Sequence, residues 1–166
     1  MRGSLRQLED VRMSVMLMES VTAVVESSYW QFYLQRGDAE WLPDQISDEA
    51  YQNHLECVGG FVYVGTSTYG SPTTVTIEVH DCEPNPAPAE RIVEVMVDGE
   101  GSLTLWNWPG DGPVAQVELP VGPVSLRASW AGMEAASEFP EREAPGDLPS
   151  PEEIQLQLWP CSDRAG

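Results

Sequence analysis

Apolar and polar residues alternate along several separate segments of this chain. A period of two directs one set of side chains toward a core and the other toward solvent, which is typical of half-buried β-strands. Alternation of this kind, or a run of aromatic and β-branched residues, occurs at residues 21–26, 29–35, 61–66, 74–80, 92–97, 102–106, 116–119, 124–130 and 154–158. We therefore predict an all-β fold, an antiparallel β-sandwich of about eight or nine strands with one short helix.

Turn residues lie between these segments. Residues 98–101, with the sequence Asp-Gly-Glu-Gly, predict a hairpin because glycine accepts the positive φ that a tight turn requires. Connections rich in Pro and Gly follow at residues 109–113 and 120–123. Together these turns predict a run of adjacent antiparallel strands over residues 91–130.

Residues 47–57 are the one segment in which we predict a helix. Ser47 is a suitable N-cap, and Asp48 and Glu49 would lie in the first turn, where the helix dipole favours negative charge. The glycine pair at 59–60 would then end the helix.

The chain has the length of one domain, and 166 residues can bury roughly two thirds of the surface of the unfolded chain. We expect residues 1–20 to form an N-terminal extension that can add an edge strand, residues 21–160 to form a single β-sandwich domain, and residues 161–166 to form a C-terminal tail. No stretch approaches the roughly 18 to 20 consecutive apolar residues that span a bilayer. We expect a cytoplasmic protein.

Cysteine and histidine are scarce in this sequence. Cys57, Cys82 and Cys161 are too few and too irregularly spaced for a disulfide framework or a zinc ribbon, so we expect free thiols, with one disulfide among the three as the alternative. Either His54 with Cys57, or the contiguous His-Asp-Cys-Glu of residues 80–83, could supply part of a metal shell, but the spacing supplies no further ligands. No acidic loop has EF-hand spacing. We predict no metal and no cofactor.

Known catalytic motifs are absent from the sequence. It contains no G-x-S-x-G, no G-x-x-x-x-G-K and no H-E-x-x-H, and it has no lysine that could form a Schiff base. We predict that the protein is not an enzyme and assign no catalytic residue.

Charge is the strongest feature of the composition. The chain has 27 Asp and Glu against 8 cations, all of them Arg, and its formal net charge is -19. A negative field of this size speeds the capture of basic partners and repels the phosphates of a nucleic acid. We therefore expect a basic protein as partner, and neither a nucleic acid nor a membrane.

A series of landmarks extends over residues 21–159. It comprises Tyr29-Trp30-Gln31-Phe32, Trp41 ahead of Ser47-Asp48-Glu49-Ala50, Gly59-Gly60-Phe61, Val117-Glu118-Leu119-Pro120-Val121-Gly122, the strand that ends at Trp130, and a last strand over Ile154 to Leu158. This order resembles the competence protein J family, whose members inhibit a nuclease that acts as DNA enters competent bacteria. The resemblance implies an all-β inhibitor or immunity-type protein that silences a nuclease by binding it. The chain departs from the family in its greater acidity, its Pro-rich residues 84–88 and its long acidic segment 134–153.

Carboxylates and tryptophans at the predicted strand ends form a candidate partner-binding surface. A nuclease binds phosphates through Lys and Arg, so carboxylates at comparable spacing can occupy the same cleft. A tryptophan ringed by charge is a typical interface anchor, and we expect Trp108 to be exposed. The candidate partner-binding residues are Asp81, Glu83, Glu90, Asp98, Glu100, Trp106, Trp108 and Asp111.

These observations predict an acidic protein-binding module, an inhibitor or immunity-type protein that blocks a basic partner such as a nuclease or a toxin. One alternative is a small-ligand or carbohydrate-binding β-sandwich that stacks its ligand on tryptophan. Another is a structural domain whose acidity is an adaptation to salt. Charge alone does not separate the three, because an ordinary solvated surface can also be acidic.

Overall fold

In the residues that it describes, the computed structural model contains ten β-strands and two short helices. These residues are 15–27, 30–37, 46–99, 101–107, 112–139 and 149–161. The strands are β1 (Leu17–Glu26), β2 (Gln31–Arg36), β3 (Leu55–Val58), β4 (Phe61–Gly65), β5 (Pro72–His80), β6 (Arg91–Gly99), β7 (Ser102–Trp106), β8 (Pro113–Glu118), β9 (Gly122–Ala131) and β10 (Glu153–Pro160). The helices are α1 (Asp48–Asn53) and α2 (Met133–Ser137).

The strands form two five-stranded sheets. The first sheet has the order β1-β5-β10-β9-β6 and the second has the order β3-β4-β2-β7-β8. Neighbouring strands are antiparallel except for β5 and β10, which run parallel. The predicted all-β sandwich is confirmed.

One continuous apolar core lies between the two sheets. Ile77 and Leu126 of the first sheet and Leu105 of the second are fully buried in it. Burying a side chain of this size contributes roughly 1.5–3 kcal/mol relative to leaving it exposed. The indole of Trp130 is also fully buried, and its Nε1 donates a hydrogen bond to the carbonyl of Gly65 on the second sheet at 2.9 Å. This bond satisfies the polar atom of the largest side chain in the core.

The predicted hairpin between β6 and β7 is wrong. β6 pairs with β9 in the first sheet, whereas β7 pairs with β2 and β8 in the second. The connection after Gly99 therefore carries the chain from the first sheet to the second, and in the second sheet β6 contacts β3. Residues 120–123 return the chain from β8 to β9. Of the predicted run of adjacent strands, only the pairing of β7 with β8 is present among the described residues.

The predicted helix is shorter than expected. Ser47 is the N-cap as predicted, because its Oγ accepts a hydrogen bond from the Ala50 N–H at 3.1 Å. The helix ends at Asn53, however, and His54 adopts a left-handed φ of 64°. Residues 55–58 then form β3, which supplies the strand beyond the predicted nine. The glycine pair at 59–60 has positive φ values of 55° and 92° and turns β3 into β4 instead of ending a helix.

The acidic loop 81–90 crosses the outer face of the first sheet. Because of the strand directions, His80 lies at one end of this sheet and Arg91 lies at the opposite end. We call the end at His80 the upper end and the end at Arg91 the lower end. Between them the loop passes over β9 and β10, and the carbonyl of Asn85 accepts a hydrogen bond from the Gln157 side chain at 3.1 Å. The middle of β9 and the end of β10 are consequently buried on both faces, whereas Glu153 at the start of β10 is exposed. The prediction that these two strands are half-buried is wrong where the loop covers them, because the outward residues Arg127, Gln157 and Trp159 are buried as well.

Candidate partner-binding surface

A buried arginine clamps the acidic loop to the sheet. The Arg127 side chain is only 5% exposed, and its Nε and Nη2 lie 2.9 and 2.8 Å from carboxylate oxygens of Glu94 and Glu83. Its Nη1 donates to the carbonyl of Pro84 at 2.8 Å, and its guanidinium lies 4.7 Å from the ring centroid of Trp159. All donor nitrogens of this guanidinium therefore serve the fold, and Glu83 has a structural role in addition to its predicted one.

Asp81 secures the beginning of β1 at the upper end. Its Oδ1 accepts a hydrogen bond from the Met16 N–H at 2.7 Å, and its own N–H donates to the Met16 carbonyl at 3.1 Å. The bond from the Met16 N–H is the main reason that the pKa of the Asp81 carboxyl lies below its usual value. Asp81 is therefore charged and exposed, and one of its oxygens is already engaged.

Glu90 caps the short helix α2 at the lower end. Its Oε1 accepts from the N–H groups of Gly132 and Met133 at 2.6 and 3.0 Å, and its Oε2 accepts from the Glu134 N–H at 3.1 Å. These N–H groups have no partner within the helix, so a carboxylate from another part of the chain satisfies them. Glu90 thus also has a structural role.

The predicted surface residues do not come together in one place. Asp98 has a 92% exposed carboxylate at the upper end of β6, 3.8 Å from Arg36, whereas Glu90 lies beyond the lower end of this nine-residue strand. At about 3.3 Å per residue, roughly 25 Å separate these ends. Trp106 lies on the second sheet, where it is half-buried beside Tyr33 and its Nε1 is buried with no hydrogen-bond partner.

Three of the eight candidate residues lie outside the described residues. They are Glu100, Trp108 and Asp111, and the expected exposure of Trp108 therefore stays a prediction.

The edge strand β6 presents a mixed apolar and acidic surface. Ile92 and Met96 are exposed on its outward side, where they alternate with Glu94 and Asp98. We call these four residues the β6 surface. The alternation in the sequence already placed Met96 on the outward face, but it did not reveal that β6 would be the edge of a sheet. Exposed apolar side chains ringed by carboxylates are typical of a protein interface.

Trp30 is the exposed tryptophan among the described residues. Its side chain is 48% exposed and packs edge to face against Tyr69, with ring centroids 4.9 Å apart. Its φ of 59° is uncommon for a residue other than glycine, and such conformations concentrate at functional sites. Trp130 and Trp159 are buried.

A buried carboxyl lies at the lower end, apart from the acidic surface. Glu152 is fully buried, and both of its carboxylate oxygens accept from the Ser67 N–H, at 3.2 and 3.1 Å. Burial raises the pKa of this carboxyl, because removal from water penalises the charged form more than the Ser67 hydrogen bonds favour it. The sequence does not distinguish Glu152 from the other carboxylates of the acidic segment 134–153, because no local pattern shows what covers it.

Cys57, Cys82 and Cys161 are free thiols. Within the described residues, no group of three or more His, Cys, Asp or Glu could hold a metal ion. None of the helices in that part of the chain is long and apolar enough to cross a membrane.

These features define the class of protein: a two-sheet β-sandwich with an acidic loop clamped across one outer face. Its fold is similar to the crystal structure of ComJ, inhibitor of the DNA degrading activity of NucA, from Bacillus subtilis, with a TM-score of 0.63 and 13% sequence identity. The match covers 89% of this chain and 99% of that chain. The predicted resemblance to the competence protein J family is confirmed at the level of the fold.

A second solved structure has a similar fold. It is that of crocagin biosynthetic gene J, with a TM-score of 0.55, 15% identity, and coverage of 86% of this chain and 99% of that chain. No family model and no curated protein matches the sequence.

Proposed function

We propose that this protein is a non-catalytic inhibitor that binds a basic nuclease and blocks its DNA-binding cleft. The observation that carries this proposal is the similarity of fold to ComJ over nearly the whole length of both chains. The net charge of -19 supports it, because a nuclease cleft that attracts phosphates also attracts carboxylates. The proposal includes action in the cytoplasm, a reducing compartment in which free thiols persist.

The contact surface that we propose is the loop 81–90 together with the β6 surface. Asp81, Glu83 and Asp98 would supply charge to the rim, where carboxylates chiefly increase the rate of association. Ile92 and Met96 would supply the apolar contacts that slow dissociation. Of the predicted residues, Trp106 lies on the second sheet, away from this surface, and the Glu90 carboxylate is already engaged by the N–H groups at the start of α2, so we assign a contact to neither.

The partner can be captured and its activity tested in one experiment. Immobilised protein is incubated with lysate at low salt, the bound fraction is eluted with a salt gradient, and the eluate is assayed for degradation of plasmid DNA. We expect a basic nuclease to elute as ionic strength rises, because salt screens exposed charge pairs beyond about 8 Å at physiological concentration. Adding the free protein back should suppress the DNA degradation. An eluate without nuclease activity, or activity that the protein does not suppress, would contradict the proposal.

A matched pair of variants tests the surface. Asp98→Lys reverses an exposed charge on the proposed surface, and Glu118→Lys makes the same change at the end of β8, on the far edge of the other sheet. We expect Asp98→Lys to lower the association rate constant at low salt by about tenfold and Glu118→Lys to change it little. Equal effects would show that only the overall charge matters and would remove this surface from the proposal.

A further inference from the structure

A groove of about 460 Å³ lies on the outer face of the first sheet, on the lower side of the clamped loop. Its floor is built from two rows of neighbouring outward residues. One row contains Thr76, Gln155 and Ser129, and the next row toward the lower end contains Thr74 and Glu153. Ala87 and Pro88 of the loop form a wall, so the Arg127 clamp also shapes the groove.

Ser129 gives this groove an unsatisfied polar group. Ser129 is only 2% exposed, and within the described part of the chain its Oγ has no hydrogen-bond partner. A buried hydroxyl without a partner costs free energy that a ligand can recover by bonding to it. Gln155 pairs directly with Ser129 across the sheet, and Glu153 is its diagonal neighbour, so the three side chains adjoin on the floor of the groove.

The charge of the groove selects the ligand. Among the described residues, Glu78 and Glu153 line it and no arginine does. Arg127, which lies on the same outer face, is fully engaged by Glu83, Glu94 and the Pro84 carbonyl. A phosphate, sulfate or carboxylate would therefore meet repulsion, whereas a cation with several donors would meet a carboxylate, hydroxyls and an amide carbonyl.

We propose that this groove binds an arginine side chain of the protein partner. The inference rests on the proposed function, since the partner is the basic protein that the module inhibits. The planar guanidinium has five N–H donors and no acceptor, which matches the Glu153 carboxylate, the Ser129 hydroxyl and the Gln155 carbonyl. The aliphatic stem of the arginine packs on the wall formed by Ala87 and Pro88. Lysine fits less well, because its compact ammonium is more strongly hydrated and cannot reach separated acceptors at once.

The groove can be tested without the partner. Isotopically labelled protein is titrated at low salt with N-acetyl-arginine methylamide, and the amide signals of Thr74, Thr76, Ser129 and Gln155 are followed. The matched control is N-acetyl-citrulline methylamide, which has nearly the same shape and no charge. We expect saturable shifts of these signals with the arginine probe and much smaller shifts with citrulline. Equal shifts with both probes, shifts with a neutral sugar alone, or no shifts up to about 20 mM arginine probe would overturn the proposal.

Two substitutions assign the binding to named atoms. Glu153→Gln should weaken binding of the arginine probe about five- to tenfold and Ser129→Ala about threefold, whereas Glu118→Gln on the other sheet should leave it unchanged. Ser129→Ala removes a hydroxyl that has no partner, so we expect this variant to fold. Unchanged binding in both groove variants would overturn the proposal.

The outcomes distinguish a failure of the groove assignment from a failure of the proposed function. If the arginine probe does not bind in the groove while the protein still inhibits a nuclease, the groove assignment is wrong and the proposed function stands. If the arginine probe binds and Glu153→Gln also weakens inhibition of the nuclease, both are supported.

Discussion

At the scale of single residues, Arg127 is the side chain that we expect to hold the acidic loop on the first sheet. Replacing it by methionine keeps much of the apolar stem but removes the hydrogen bonds to Glu83, Glu94 and Pro84. The two carboxylates are about half exposed, and solvent screening limits the contribution of each ion pair to stability. We therefore expect a loss of about 2–3 kcal/mol in the free energy of unfolding.

The control for this prediction is Arg36→Met. The Arg36 guanidinium is 30% exposed and lies 3.8 Å from a carboxylate of Asp98, so its loss should cost less than about 1 kcal/mol. Urea denaturation measures both variants. Equal losses would mean that the clamp contributes no more than an ordinary surface contact.

A second prediction at this scale concerns Glu152 and pH. Burial raises its pKa in the folded protein above the ordinary value of 4.5, so the folded protein keeps a proton that the unfolded chain has already released. Its contribution to stability is therefore present below pH 4.5 and falls as pH rises through the raised pKa. Glutamine does not ionise, so Glu152→Gln should remove this pH-dependent loss of stability. The variant should therefore gain stability relative to the natural chain between pH 4.5 and neutrality.

Urea unfolding midpoints of both proteins at the two ends of this pH window measure the difference. Loss of a hydrogen bond from Ser67 would change the free energy of unfolding of the variant by the same amount at every pH. Proton linkage instead changes the slope of this free energy against pH. Parallel curves would show that Glu152 ionises normally in the folded protein.

At the scale of elements, Gly132 connects β9 to α2 in a position that admits no side chain. Its φ is 78°, and an added Cβ would collide with the carbonyl oxygen of Pro151. Gly101 has a similar φ of 79° but open space around it, so it is a matched control. We expect Gly132→Ala to cost about 3–5 kcal/mol, from backbone strain plus the clash, and Gly101→Ala about 1 kcal/mol from strain alone. Thermal or urea unfolding of the two variants tests this difference, and equal costs would contradict the close approach of Pro151.

The elements also show where sequence reasoning succeeds and fails. Alternation is a local property, and it located the strands around Val75, Val93 and Leu156 because the apolar residues of each lie on one face, toward the core. Sheet membership depends on pairing between distant segments, and a glycine turn such as residues 98–101 serves a hairpin or a crossing between sheets equally well. The sequence does not predict a strand at residues 55–58, because four residues are too few to display a period. Their conformation depends on pairing with β4.

At the scale of the whole molecule, the sequence predicted the charge but not its distribution. Asp81, Glu83 and Glu90 are predicted only as partner-binding carboxylates, yet each has a structural partner that lies far away in the sequence, at Met16, Arg127 and α2. The groove beside the loop was not predicted either. It exists because the loop lies over β9 and β10, and no local pattern around Ser129 reveals what covers it.

The molecule as a whole is proposed to substitute its carboxylates for DNA phosphates in the cleft of a nuclease, so the most direct measurement is inhibition kinetics. The captured nuclease is assayed on DNA of increasing concentration at several fixed concentrations of this protein. Competition for one cleft predicts that the apparent KM for DNA rises with the protein concentration while kcat stays constant. A fall in kcat at constant KM, or no inhibition at any concentration, would contradict the proposal that the acidic surface occupies the DNA-binding cleft.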